Sequence, residues 1–83
     1  MITVKYFANL RSIAGKDEDQ FSLGSETTLE KLCYEISKTA PKIGDMILGK
    51  KIMISVNLNV VSLDAIIKDG DEVALLPPFS GGS

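Results

Sequence analysis

Eighty-three residues, 9.0 kDa, make one small domain and leave no room for a second. Hydrophobic residues at 45%, charged residues at 24% and a mean hydropathy of +0.17 place the chain among folded globular proteins and outside the disordered class. Nine Lys plus Arg against eleven Asp plus Glu give a net charge of -2, which supplies no field for phosphate backbones or anionic lipid, so neither nucleic acid nor membrane is expected as a partner.

No apolar run approaches the roughly 20 residues that span a bilayer, and the N-terminal residues alternate where a signal peptide would run continuously apolar. A cytosolic chain is expected. The single cysteine, Cys33, cannot form an internal disulfide. With no histidine there is no Cys/His metal set and no Ser-His or Cys-His nucleophilic pair, so the chain is ill equipped to catalyse a reaction alone.

In chain order, Ile2, Val4 and Tyr6 alternate with Thr3, Lys5 and Phe7, the period-2 pattern of a strand over 2–7 with one face on a core. Leu10, Ile13 and Ala14 followed by Gly15 predict a helical turn over 9–14. Phe21 and Leu23 alternate with Gln20 and Ser22, a weaker strand over 17–23 ended by Gly24-Ser25. Thr27-Thr28-Leu29-Glu30 has the spacing of a capping box with Thr27 as the cap. Leu29, Leu32, Cys33, Ile36 and Ala40 then form the apolar stripe of one long helix, stopped by Pro41. On that stripe Cys33 reads as a small core residue.

Residues 41–50 carry Gly44 and Gly49 among Ile43, Met46, Ile47 and Leu48, and predict an irregular, partly buried connection. A strand is predicted over 51–56 with Ile52, Ile54 and Val56 facing one way, then a turn at Asn57-Leu58-Asn59 before Val60-Val61. Asp69-Gly70-Asp71 is a tight turn, and Glu72–Leu76 is a last strand closed by Pro77-Pro78. Asp69, Asp71 and Glu72 are ordinary turn chemistry, so no metal is assigned. One helix available to cover one sheet predicts an α+β roll, a mixed sheet packed on one main helix. Phe7, Met53 and Leu76 fall out of phase with the inward positions of their strands and predict an apolar patch on the outer face.

The domain is assigned to residues 1–76 and a tail to 77–83. Pro77, Pro78, Phe79, Ser80, Gly81 and Gly82 combine two residues that cannot extend a ladder with two that lack side chains, so the tail should project. A roll of this order with a Gly-Gly tail resembles the ubiquitin-like β-grasp plan. The resemblance narrows to the MoaD family on Val4-Lys5-Tyr6-Phe7-Ala8, Arg11 and Gly15, then Val56-Asn57, Val61-Ser62 and Asp64, then Asp69-Gly70-Asp71-Glu72-Val73-Ala74, Pro77-Pro78 and Gly81-Gly82. DGDEV alone is a turn; the set in register over nearly the whole chain is specific.

The resemblance implies the small, sulfur-carrying subunit of molybdopterin synthase, with the Gly82 carboxylate as the reacting group. It further implies activation to an acyl adenylate by a MoeB-like enzyme using ATP, with no cofactor bound to the carrier itself. Conversion to a thiocarboxylate and sulfur donation to cyclic pyranopterin monophosphate on a MoaE-like large subunit would complete the cycle. In the family the outer sheet face docks on both partners, which implies an interface at Phe7, Met53 and Leu76. One departure bears on this: the family ends at the second glycine, whereas Ser83 follows Gly82 here. An amide at Gly82 cannot be adenylated, so Ser83 is removed by a protease, is foreign to the natural chain, or marks a variant activated differently. A carrier for another pathway, a ubiquitin-like modifier joined to lysines, and a plain β-grasp binding module with an inert tail remain the alternatives.

Overall fold

In a computed structural model that describes residues 1–77, the chain runs β1 (Ile2–Tyr6), α1 (Leu10–Ala14), β2 (Glu18–Phe21), β3 (Glu26–Thr28), α2 (Leu29–Thr39), α3 (Pro41–Leu48), β4 (Met53–Val56), β5 (Asn59–Val60), β6 (Ile66–Lys68) and β7 (Glu72–Leu76). Five strands form one sheet in the order β2-β1-β7-β4-β5, and β3 and β6 pair apart from it. The first and last strands lie side by side and parallel; every other pairing among the described residues is antiparallel. This is the mixed sheet on one main helix that the residue pattern predicts.

Alternation sets the core. Ile2, Val4 and Tyr6 of β1, Val73 and Leu75 of β7, and Ile54 and Val56 of β4 are buried on one face. Against them lie Leu29, Leu32, Cys33 and Ile36 of α2, with Ala40 after it, all buried as the stripe requires. Leu10 of α1, Ile43 and Ile47 of α3 and Ile67 of β6 join the same buried cluster. Burial of each large apolar side chain contributes about 1.5–3 kcal/mol, so these residues supply much of the stability of the small fold.

Three expectations are corrected. The cap of α2 is Thr28, whose Oγ1 accepts from the Lys31 N–H at 3.2 Å; Thr27 instead pairs with Ile67 in the β3–β6 ladder. Three residues after Thr28 stands a lysine, which has no acceptor to return the bond, so there is no reciprocal box. Residues 41–48 are a helix rather than an irregular connection. Ala40, at φ -140° and ψ 76°, stays out of the helical region as a residue before proline does, and Pro41 opens α3 at a position whose N–H has no helical partner to lose. Gly44 then lets α3 approach α2: a Cβ there would stand 2.7 Å from the Ser37 Cβ. The third correction is the short β3–β6 ladder, which the residue pattern does not announce.

The strand bounds are tighter than predicted at 17–23 and 51–56, and the turn before Val60 uses only Asn57 and Leu58. Gly15, at φ 78°, is the left-handed C-terminal residue expected after α1. Among the described residues no helix is long and apolar enough to cross a membrane.

Candidate docking face and tail root

The outer face of the main sheet is built by the positions that the core does not use. The Phe7 N–H donates to the Leu75 carbonyl at 3.1 Å, continuing the β1–β7 ladder one step past Tyr6. That step sets Phe7 beside Leu76, and Leu76 faces Met53 across the β7–β4 pair. The three residues predicted from phase therefore form one row over three neighbouring strands. Phe7 and Met53 are each 41% exposed, and Leu76 is half-buried between them.

The next row reads Lys5, Ala74, Ser55 and Val60. Val60 is 68% exposed, a fourth large apolar group on this face that phase alone does not select. Its side is fixed by the two-residue turn, which pairs Val56 with Asn59 and so sets Val60 opposite Ser55, in the row next to Met53 and Leu76. The spacing of Val56-Asn57-Leu58-Asn59 admits a two-residue turn as well as the three-residue one expected from its composition, and only the shorter turn gives this register. Polar groups frame the patch: Lys5 Nζ lies 3.6 Å from Glu72 Oε1, and Arg11 is exposed beside Ala8.

Leu76 is the last residue of β7, and half-buried Pro77 comes after it. The row thus lies where the chain leaves the sheet toward its terminal residues. The remaining predicted tail positions, Pro78, Phe79, Ser80, Gly81 and Gly82, lie outside the described residues.

Two other groups are positioned away from any such role. Cys33 is buried against the core, and burial, then the nearby Glu30 charge, pushes its thiol up to about 11, so it stays protonated and unreactive at neutral pH. Tyr6 donates its hydroxyl to Asp19 Oδ2 at 3.0 Å, and burial pushes its ionisation well above the usual range. That bond ties edge strand β2 to the core.

At the opposite end of the sheet, Asp71 accepts from the Lys68 N–H at 2.8 Å and from Asn57 Nδ2 at 3.0 Å, while the Glu72 N–H donates to Asn57 Oδ1 at 3.0 Å. These bonds hold the Asp71 carboxyl below the ordinary carboxylate range, the Lys68 amide first among the causes. The acidic turn is committed to joining the β4–β5 hairpin to the start of β7.

A mixed five-stranded sheet folded on one main helix, with its last strand at the centre and running out to the terminal residues, defines a ubiquitin-like β-grasp protein. Residues 4–82 match the ThiS family, and the chain belongs to it as a MoaD-type member. It is 37% identical over 83 residues to the molybdopterin synthase sulfur carrier subunit of Chlamydomonas reinhardtii, covering 98% of each chain. A Pyrococcus furiosus structure described as a molybdopterin converting factor, subunit 1, superposes with a TM-score of 0.81 at 34% identity, covering 94% of this chain and 97% of that one. The small archaeal modifier protein 1 of Methanosarcina acetivorans superposes with a TM-score of 0.77 at 30% identity, covering 98% and 95%.

Proposed function

We propose that the chain is the sulfur carrier subunit of a molybdopterin synthase, with the Gly82 carboxylate as its working group once Ser83 is gone. The observation that carries this reading is end-to-end similarity to a protein of that name, with the Gly81-Gly82 pair inside the matched residues. The apolar row at the root of the tail supports it, because a partner that grips Phe7, Leu76 and Met53 is thereby set to receive the residues beyond Pro77.

The chemistry belongs to the partners. A MoeB-like enzyme joins the Gly82 carboxylate to the AMP portion of ATP and releases pyrophosphate, which turns a poor acyl donor into a good one. Sulfide-level sulfur then displaces AMP, leaving a thiocarboxylate. On a MoaE-like large subunit the thiocarboxylate sulfur displaces an oxygen substituent of cyclic pyranopterin monophosphate to give a thioester, and water cleaves its acyl–sulfur bond, leaving the sulfur on the pterin and returning the carrier's carboxylate. Glycine suits the reacting position because it has no Cβ to clash with a narrow channel or crowd the acyl carbon. The chain itself needs no bound cofactor for this.

A second reading, a ubiquitin-like modifier, is favoured by the similarity to the archaeal modifier protein and shares the chemistry at Gly82. The intact mass of the untagged protein from its own host, isolated under conditions that preserve thiocarboxylates, tests both. The carrier reading expects chains ending at Gly82, a fraction of them heavier by the exchange of one oxygen for sulfur. Gly82 joined to lysines of other proteins would favour the modifier. Chains that all retain Ser83 and carry no sulfur while the pathway runs would overturn the carrier reading and leave the plain binding module.

A further inference from the structure

β5 is only two residues long, so it pairs with Ser55 and Val56 and leaves the start of β4 uncovered on that side. After it the Val61 N–H makes one more bond, to the Ile54 carbonyl at 3.1 Å, and the chain then departs from the edge of β4. A groove of about 290 Å³ opens there, between the C-terminal end of α3, the start of β4 and residues 60–63. Its lining is mostly apolar: Ile52, Val61 and Leu63 are only partly buried, and Met53 and Val60 are exposed at its rim. Lys50 stands at the same opening, exposed and, among the described residues, in no ion pair.

The groove lies at the end of the sheet where the tail departs. Leu76 pairs with Met53, and one further antiparallel step sets Pro77 toward Ile52. In the sheet order only β4 separates β7 from the groove, a crossing of one or two strand spacings, about 5–10 Å. Phe79 comes three residues after Leu76, about 10 Å of extended chain, so its ring has the reach to enter. Pro77 and Pro78 have no N–H to add to the ladder, which leaves side-chain docking as the way for this tail to settle on the domain. Beyond the prolines Phe79 is the one large apolar side chain, and an apolar cavity of about 150 Å³ already holds a benzene ring.

We infer that the tail folds back on its own domain, with Phe79 seated in this groove and Lys50 facing the carboxylate that the carrier reading puts at Gly82. From Phe79 to Gly82 is another three residues, about 10 Å, which brings the opposite charges together at the mouth of the groove. The docked tail covers Met53, so a partner has to displace it, and the partner's apparent affinity falls by the fraction of chains whose tail is free. That regulatory consequence rests on the carrier reading; the docking of Phe79 does not.

The test is methyl NMR of the full chain beside Phe79→Ser, at high and low protein concentration. Seating predicts nuclear Overhauser contacts from the Phe79 ring to the Val61 and Leu63 methyls. It also predicts that the variant loses ring-current shifts at Ile52, Val61 and Leu63, while Val4 and Val73 in the core hold still. Methyl shifts identical in the two proteins would overturn the inference. Shifts that vanish on dilution would give the groove to the tail of a second copy and overturn it as well. Methyls unmoved by the variant but shifted on adding the large subunit would give the groove to that partner instead. None of these results bears on sulfur at Gly82, which the intact mass decides, so the docked tail and the carrier reading fail separately.

Discussion

The two faces of the main sheet are made from the same strands and nearly the same residue types, yet they meet different surroundings. On β7, Val73 and Leu75 point into the layer under α2 and have no exposed surface, whereas Ala74 and Leu76 point away from it. On β4, Ile54 and Val56 are buried while Met53 is 41% exposed, and across the hairpin Val60 is open to solvent. Hydrophobicity alone does not tell the two sets apart; pleat and register do. The inner set is satisfied within the chain. The outer set stays partly open to solvent, and it is the face that the proposed carrier reading gives to a partner.

That contrast can be attacked from either side. The largest effect should come from the inner face: Leu75→Ala should destabilise the domain by about 2–5 kcal/mol, read by urea or thermal unfolding. A loss smaller than about 1 kcal/mol would mean this face is not the core. Gly44→Ala, in the helical layer behind it, should cost about 1–3 kcal/mol because the new Cβ meets Ser37 at both side chain and backbone.

On the outer face, Met53→Lys should change stability by less than about 1 kcal/mol while weakening binding to the large subunit about tenfold or more. Unfolding and titration on the same preparation separate the two. If Met53→Lys unfolds the chain, the division into faces fails.

The smallest effect sharpens the comparison at the far end of the sheet, where Asp71 braces the hairpin that carries Val60. Its folded-state pKa is lowered, so its contribution to stability is present above the ordinary carboxylate value, about 4, and is lost as pH falls through the lower folded value. Asp71→Asn should therefore lower Tm slightly at neutral pH and converge with the unaltered chain in acid, which flattens the acid side of a plot of Tm against pH. An acid limb identical to that of the unaltered chain would mean Asp71 gains nothing from its partners.

Much of this architecture is legible in the residue pattern. Alternation in β1 and β7 and the stripe of α2 are strong signals because each runs long enough to show its period, and the out-of-phase Phe7, Met53 and Leu76 do fall on one row. The features that the pattern hides have physical reasons. Pro41 and Gly44 read as breakers, but proline at the first turn starts a helix and glycine facing Ser37 is a packing choice, a distinction only the neighbouring helix supplies. The capping threonine is one residue later than expected because Thr27 and Thr28 are equivalent until β3 claims the first for its ladder. β3 and β6, at three residues each, are too short to carry a period. Val60 joins the outer face only once the turn length sets the register. Gly82, by contrast, is chosen wholly from motif and chemistry.

The parallel pairing of β1 with β7 has a mechanical consequence. Because the two strands run the same way, the N-terminal end of β1 and the C-terminal end of β7 lie at opposite ends of the ladder, with Thr3 to Tyr6 set against Glu72 to Leu75. Tension between the start of the chain and its tail therefore shears this ladder, loading its bonds together rather than peeling them one at a time. On the carrier reading, a pull on the tail would load this parallel seam in shear.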